Sequence, residues 1–200
     1  MRQPLSGIRG CFQVTVPWGA PADGQDMIVL RRDAGQGRKR YMKISIICVG
    51  KIKEKFYREA VAEYAKRLSR YCKLEVLEVE DEKTPEQPSP AQKEQILRKE
   101  AERMERYIRP DAFLTALAIE GKKMDSEQFA SRIESLGVRG TSHIQFLIGG
   151  SLGIHPSLLE KADDKLSFSD MTFPHQLMRV ILLEQIYRGY RIMNKEPYHK

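Results

Sequence analysis

The sequence predicts an α/β fold, a mostly parallel sheet flanked by helices. Three observations carry this. From Met42 onward, short apolar runs rich in β-branched residues alternate with stretches whose apolar residues recur at helical spacing. The runs Ile44–Val49, Phe113–Ile119 and His143–Ile148 are each followed closely by a glycine, at Gly50, Gly121 and Gly149. No internal repeat is visible that would point to a solenoid or a propeller. Alternating βα units pair their strands in parallel and lay helices over the sheet, and ligands then sit beyond the C-terminal ends of the strands.

The elements follow in order. Ile44 to Val49 is the first strand. Phe56, Tyr57, Ala60, Val61, Tyr64, Ala65 and Leu68 mark a helix, and Leu74 to Val79 returns to a strand. Thr84-Pro85-Glu86-Gln87-Pro88 is a loop. Ser89 caps the next helix with Pro90 in its first turn, and Ile96, Leu97, Met104 and Ile108 carry it to a stop near Pro110. Phe113 to Ile119 is the third strand. Asp125 and Gln128 have capping-box spacing for a helix bearing Phe129, Ile133 and Leu136, with Gly137 at its end. His143 to Ile148, the fourth strand, runs into Gly149-Gly150-Ser151-Leu152-Gly153, and a short helix follows near Pro156 to Ala162. Leu166 to Ser169 is the fifth strand, and Pro174 opens a final helix that reaches about Met193.

In that last helix, eleven of the seventeen positions from Leu177 to Met193 are apolar, more than one amphipathic stripe requires. It is therefore either deeply buried or packed against a second subunit as well as its own sheet. Arg179, Glu184, Arg188 and Arg191 read as solvent-facing or rim positions.

Composition bounds the class. Two hundred residues, 41% apolar and 30% charged, fit one globular domain with no run long enough to span a bilayer. Cys11, Cys48 and Cys72 are odd in number and widely spaced, so a disulfide framework is not indicated and a reducing, cytoplasmic setting is expected. The four histidines lack metal-ligand spacing, and no metal is expected. Net charge is +7, but +4 of it lies in residues 1–41, so charge alone does not establish an RNA partner. Residues 1–41 have no sustained period. They read as a disordered leader or an over-extended start, with a basic nucleic-acid-binding arm ending in Arg38-Lys39-Arg40 as the alternative. Residues 42–200 form the domain.

Three loops could carry chemistry. The glycines after the fourth strand either let backbone amides approach a ligand or merely form a tight turn. Their spacing is neither that of a dinucleotide fold nor that of a phosphate-binding loop. Leu166 through His175 joins the fifth strand to the last helix; its backbone near Met171 could read an adenine edge, or it could be an ordinary connection. The polar ending Tyr198-His199-Lys200 could face RNA or simply fray.

Together the segments Met42-Lys43-Ile44 with Val49-Gly50-Lys51, Ile119-Glu120-Gly121-Lys122, Ile148-Gly149-Gly150-Ser151, Leu166 through Gln176, Met178-Arg179-Val180, Glu184-Gln185-Ile186-Tyr187-Arg188 and Tyr198-His199-Lys200 resemble the RlmH family of SPOUT-type methyltransferases, in its order. The resemblance covers about four-fifths of the chain; residues 1–41 have no counterpart in it. It implies a C-terminal trefoil knot, a homodimer, and S-adenosylmethionine-dependent methylation of N3 of a pseudouridine in 23S ribosomal RNA on the assembled ribosome. By the same resemblance the donor contacts Leu117, Gly149, Phe168, Ser169, Asp170, Met171, Thr172 and Phe173, and the active site lies at the dimer interface, where the tail takes part.

That reaction requires an imide nitrogen to lose its proton. His175 and His199 are candidates to accept it, with Arg179 or Arg188 to stabilise an oxyanion or hold phosphate. Tyr198, His199 and Lys200 are candidate RNA contacts. His175 could instead cap the last helix. A SPOUT enzyme with another RNA target, and a ribosome-binding factor without catalysis, remain the competing readings.

Overall fold

The fold, a computed structural model, is described for residues 41–197 and for a short strand at 27–29. The elements are β1 (Met27–Val29), β2 (Lys43–Val49), α1 (Lys55–Leu68), β3 (Lys73–Val79), α2 (Pro90–Glu105), β4 (Phe113–Lys123), α3 (Ser126–Val138), β5 (His143–Ile148), α4 (Pro156–Lys161), β6 (Asp164–Ser167) and α5 (His175–Met193). They form one six-stranded sheet of order β1-β3-β2-β5-β4-β6. β2 to β6 run parallel, as the alternating pattern predicts, and β1 lies antiparallel along the outer edge of β3.

Period-two alternation divides the central strands between two cores. Ile44, Ile46 and Cys48 of β2 and Ile144, Phe146 and Ile148 of β5 face one side, where Val61, Ala65 and Leu68 of α1, Phe129, Ile133 and Leu136 of α3, and Leu182, Leu183 and Ile186 of α5 cover them. Ile47, Val49 and Leu147 face the other side, against Ala101 and Met104 of α2 and Leu158 of α4. The Cys48 and Cys72 thiols are free and buried, and burial pushes both up to about 12, so they pack as apolar groups.

The predicted capping box of Asp125 with Gln128 forms, and the predicted Ser89 cap proves to be a capping box too, with Gln92; a cap of this kind contributes roughly 1 kcal/mol. Of the boundaries that differ from the sequence reading, three have a visible cause. α2 stops at Glu105, where single-turn bonds such as Ile108 N–H to the Glu105 carbonyl take over. β4 continues through Lys123, because a bulge keeps it paired with β6. β6 ends at Ser167: the Ser169 carbonyl accepts from Ser167 Oγ, and Ser169 Oγ accepts from Met171 N–H, so Ser169 belongs to a turn.

Candidate active site

The last helix begins far from the strand before it. β6 is an edge strand, yet the start of α5 sits over the end of β2, with β4 and β5 lying between them. Lys53 N–H donates to Gln176 Oε1 at 2.9 Å. Gly50, at φ +82°, closes β2, and a Cβ there would stand 3.1 Å from His175 Nε2 and 3.7 Å from Asp81 Cγ. The connection from Phe168 to Pro174 must therefore cross the C-terminal ends of β4 and β5. Gly149 directly follows β5, Leu117 is the residue after the last β4–β5 pair and pairs instead with Leu166 of β6, and residues 168–174 lead from the end of β6 to the start of α5.

Glycines permit the local approaches. Leu117 and Lys122 both pair with Leu166, leaving residues 118–121 as a bulge. A Cβ on Gly121 would lie 2.6 Å from the Leu166 carbonyl carbon. A Cβ on Gly149 would lie 2.1 Å from the Gly153 carbonyl oxygen, within a turn closed by Gly153 N–H to the Gly150 carbonyl at 3.2 Å. The turn's own backbone thus requires glycine at 149, whatever binds above it. Across this end, Asp170 pairs with Lys123, Phe168 packs on the core, and Met171 and Ile119 stand 72% and 53% exposed, two large apolar side chains left in water.

His175 is the first residue of α5, whose cap position is Pro174, so His175 does not cap the helix. Burial pushes its imidazole below the ordinary value, helped by Arg179 and Lys53 and opposed by Asp81. It is neutral at neutral pH and able to accept a proton. Arg179 departs from the expectation of a rim or RNA-facing cation. It is wholly buried; Nη1 pairs with Glu78 at 2.5 Å, and Nη2 donates to the carbonyls of Val49 at 2.7 Å and Gly50 at 2.6 Å. Those carbonyls lie at the end of β2, so Arg179 is a structural clamp on the strand end beside His175.

Arg188 lies elsewhere, half-buried against Glu184 one helical turn away. Leu177, Ile181, Glu184 and Arg188 share one half-exposed stripe of α5, while Leu182, Leu183, Ile186 and Tyr187 face the core. The apolar surplus of this helix is thus split between its own core and an outward stripe.

Tyr198, His199 and Lys200 lie outside the described residues, but their attachment point is fixed. Tyr71 Oη donates to Glu196 Oε2 at 2.7 Å, Arg191 Nε pairs with Glu196 at 2.8 Å, and Arg191 Nη2 donates to the Pro197 carbonyl at 2.9 Å. Tyr71 precedes β3, so Pro197 is held at the opposite end of the sheet from the donor loops. A cleft of about 370 Å³ among Tyr41, Met42, Tyr71, Tyr190 and Met193 also belongs to that far end.

Sequence reasoning missed Asp81, across Gly50 from His175, and Glu100, beneath the glycine turn. Only Glu100 left a signal, a charge inside the apolar stripe Ile96, Glu100, Met104.

Comparison with known proteins identifies the family. Residues 42–199 match the family model described as "Predicted SPOUT methyltransferase". The chain is similar to proteins named "Ribosomal RNA large subunit methyltransferase H" from Bifidobacterium adolescentis, 64% identical over 159 residues, and Bifidobacterium animalis subsp. lactis, 58% identical over 159 residues. A protein of the same name from Acetivibrio thermocellus is 54% identical over 159 residues. Each match covers 80% of this chain and 100% of the relative. With the family model spanning nearly all of residues 42–200 and an α/β sheet that gathers its loops at one end, the chain belongs to the SPOUT methyltransferase family.

Proposed function

We propose that this protein transfers a methyl group from S-adenosylmethionine to N3 of a pseudouridine in 23S ribosomal RNA, on the assembled ribosome, working in the cytoplasm as a homodimer. The observation that carries this reading is the return of the chain from the end of β6 to a half-buried His175 over the end of β2, which would bring Leu117, Gly149 and Phe168–Phe173 together at one end of the sheet. The names of the relatives support the ribosomal substrate.

The residues present fit the donor. The Gly149–Gly153 turn puts main chain at the end of β5, with open space beside Gly153, while Leu117, Phe168 and Met171 offer apolar surface to a flat base. When bound, the donor supplies an electrophilic methyl group on a sulfonium. The loops would hold and orient it, and orientation of this kind supplies much of such a rate. His175 takes the imide proton, directly or through water. Asp81, beyond Gly50, favours the charged imidazole that results.

Two further features support a dimer. The outward stripe of α5 bearing Leu177 and Ile181 remains half-exposed, as a helix kept for a second subunit would be. The tail supports it by distance. α5 has 19 residues, about 28 Å of helix at 1.5 Å per residue, and Pro197 is anchored at its far end. Residues 198–200 span only about 10 Å when extended, too little to return to the donor loops of the same chain. Tyr198, His199 and Lys200 therefore serve the partner's site, with Tyr198 stacking on a base, His199 handling a proton and Lys200 meeting phosphate. The C-terminal trefoil knot of the family agrees with a chain that leaves an edge strand and re-enters under β2.

The test is calorimetry with S-adenosylmethionine, followed by transfer of labelled methyl to assembled ribosomes and to naked 23S RNA. Binding, with transfer preferring ribosomes, is expected. Transfer to a different RNA would favour another SPOUT specificity, and ribosome binding without donor binding would favour a non-catalytic factor.

A further inference from the structure

α2 presents Ile96, Glu100, Ala101 and Met104 to the interior. Glu100 is only 4% exposed, although glutamate is almost never buried so fully unless paired. Its Oε1 accepts from Glu82 N–H at 3.0 Å. Its Oε2 is buried and has no hydrogen-bond partner among the described residues. Both oxygens lie under the glycine turn: a Cβ on Gly150 would stand 3.0 Å from Oε2 and 3.3 Å from Oε1. We propose that Glu100 is a positioning residue of the methyl-donor site, tying the Asp81–Glu82 segment, which flanks His175, to the underside of the Gly149–Gly150 turn.

The inference rests on the donor reading of that turn. Neighbouring contacts join the same elements, Thr84 to the turn at Ser151 and Arg103 of α2 to residues 80 and 82. Thr84 Oγ1 and Ser151 Oγ are 3.0 Å apart at the surface, and Arg103 donates to the Glu80 carbonyl at 2.8 Å while pairing with Glu82. Glu100 is the buried member of this set. Burial, with Asp81 and Glu82 adding to it, raises its carboxyl above the ordinary range, against the Glu82 N–H bond and Arg103. Glutamine keeps the shape and an oxygen to accept from Glu82 N–H, whereas alanine removes the tie and leaves the Glu82 amide without that partner.

The experiment uses the full chain and four variants, Glu100→Gln, Glu100→Ala, Gly150→Ala and the double variant Glu100→Ala/Gly150→Ala. It reads S-adenosylmethionine affinity by calorimetry, donor KM and kcat on ribosomes, and melting temperature. Glu100→Ala should weaken donor binding about tenfold or more, raising donor KM more than it lowers kcat. Glu100→Gln should recover most of that loss. Gly150→Ala should weaken binding by pressing on the carboxyl and on Val49 Cγ1, each 3.0 Å from the new Cβ, and the double variant should lose less than the product of the two single losses, because the shortened side chain relieves the first of these contacts. Wild-type affinity in Glu100→Ala, or equal losses in Glu100→Gln and Glu100→Ala, would overturn the proposal. If Glu100→Ala does not fold, Gly150→Ala with unchanged affinity overturns it, and weakened Gly150→Ala beside a tight-binding Glu100→Gln upholds it. Wild-type protein that binds no donor would instead overturn the functional reading, and this inference with it.

Discussion

Arg179 and Glu78 meet at 2.5 Å across 101 residues of sequence, and through that pair the last helix grips the end of β2. The guanidinium is wholly buried, while the carboxylate keeps a rim position at 16% exposure. Breaking a buried pair from one side strands the other charge and costs about 3–5 kcal/mol. Arg179→Ala should therefore lower the melting temperature sharply, and Arg179→Lys should recover only part, since an ammonium cannot serve Glu78 and two carbonyls with the same fork. A stable Arg179→Ala protein with only a weakened RNA affinity would return Arg179 to the surface role its sequence position suggests.

His175 acts as a base only while neutral. Because burial and Arg179 hold it below its ordinary value of 6.5, the acid limb of kcat against pH should fall below that value. His175→Gln should cut methyl transfer by about 10²–10⁴-fold and leave donor affinity unchanged. The same downward shift makes the neutral imidazole's contribution to stability fully present above 6.5 and lost as pH falls through the folded value. His175→Gln should accordingly flatten the acid-side fall in melting temperature. A profile indifferent to the substitution would remove His175 from proton transfer.

Gly149→Val places a branched side chain where the Gly153 carbonyl stands, 2.1 Å from the new Cβ. Refitting the turn should cost about 1–3 kcal/mol and weaken donor binding at least tenfold, measured by thermal melting and calorimetry. Unchanged donor affinity in the folded variant would take Gly149 out of the site.

Much of this was legible in the sequence, and the exceptions have physical causes. Period and glycine punctuation gave the five parallel strands, and capping chemistry gave the starts of α2 and α3. The bulge at residues 118–121 was not legible, because Leu117 and Lys122 share one partner on a strand distant in sequence. Arg179 looked like a rim cation because local pattern does not reveal that two strand-end carbonyls need a donor. The strand Met27–Val29 lies in a segment without period; three residues carry too little alternation to register, and it forms only against the β3 edge. The site loops were legible as loops. Which of them meet was set by the return from β6 to β2, a matter of topology.

The tail prediction follows from the anchor at Glu196. Removing residues 198–200 leaves the Tyr71 and Arg191 contacts intact. Melting temperature, dimer mass and donor affinity should stay unchanged while methyl transfer falls by about 10²-fold or more. Heterodimers of this truncated chain with a Gly149→Val chain separate the arrangements. If tails act across the interface, the intact pocket of the truncated chain receives its partner's tail and activity returns. If tails act within their own subunit, neither site is complete. Inactive heterodimers would contradict the crossing tail.

The central claim is the reaction itself, and it is tested most directly by mass spectrometry of 23S ribosomal RNA from cells with and without this protein. The account predicts that N3-methylpseudouridine disappears when the protein is deleted and returns when the wild-type chain, but not the His175→Gln chain, is restored. Undiminished N3-methylpseudouridine in the deletion strain would contradict it.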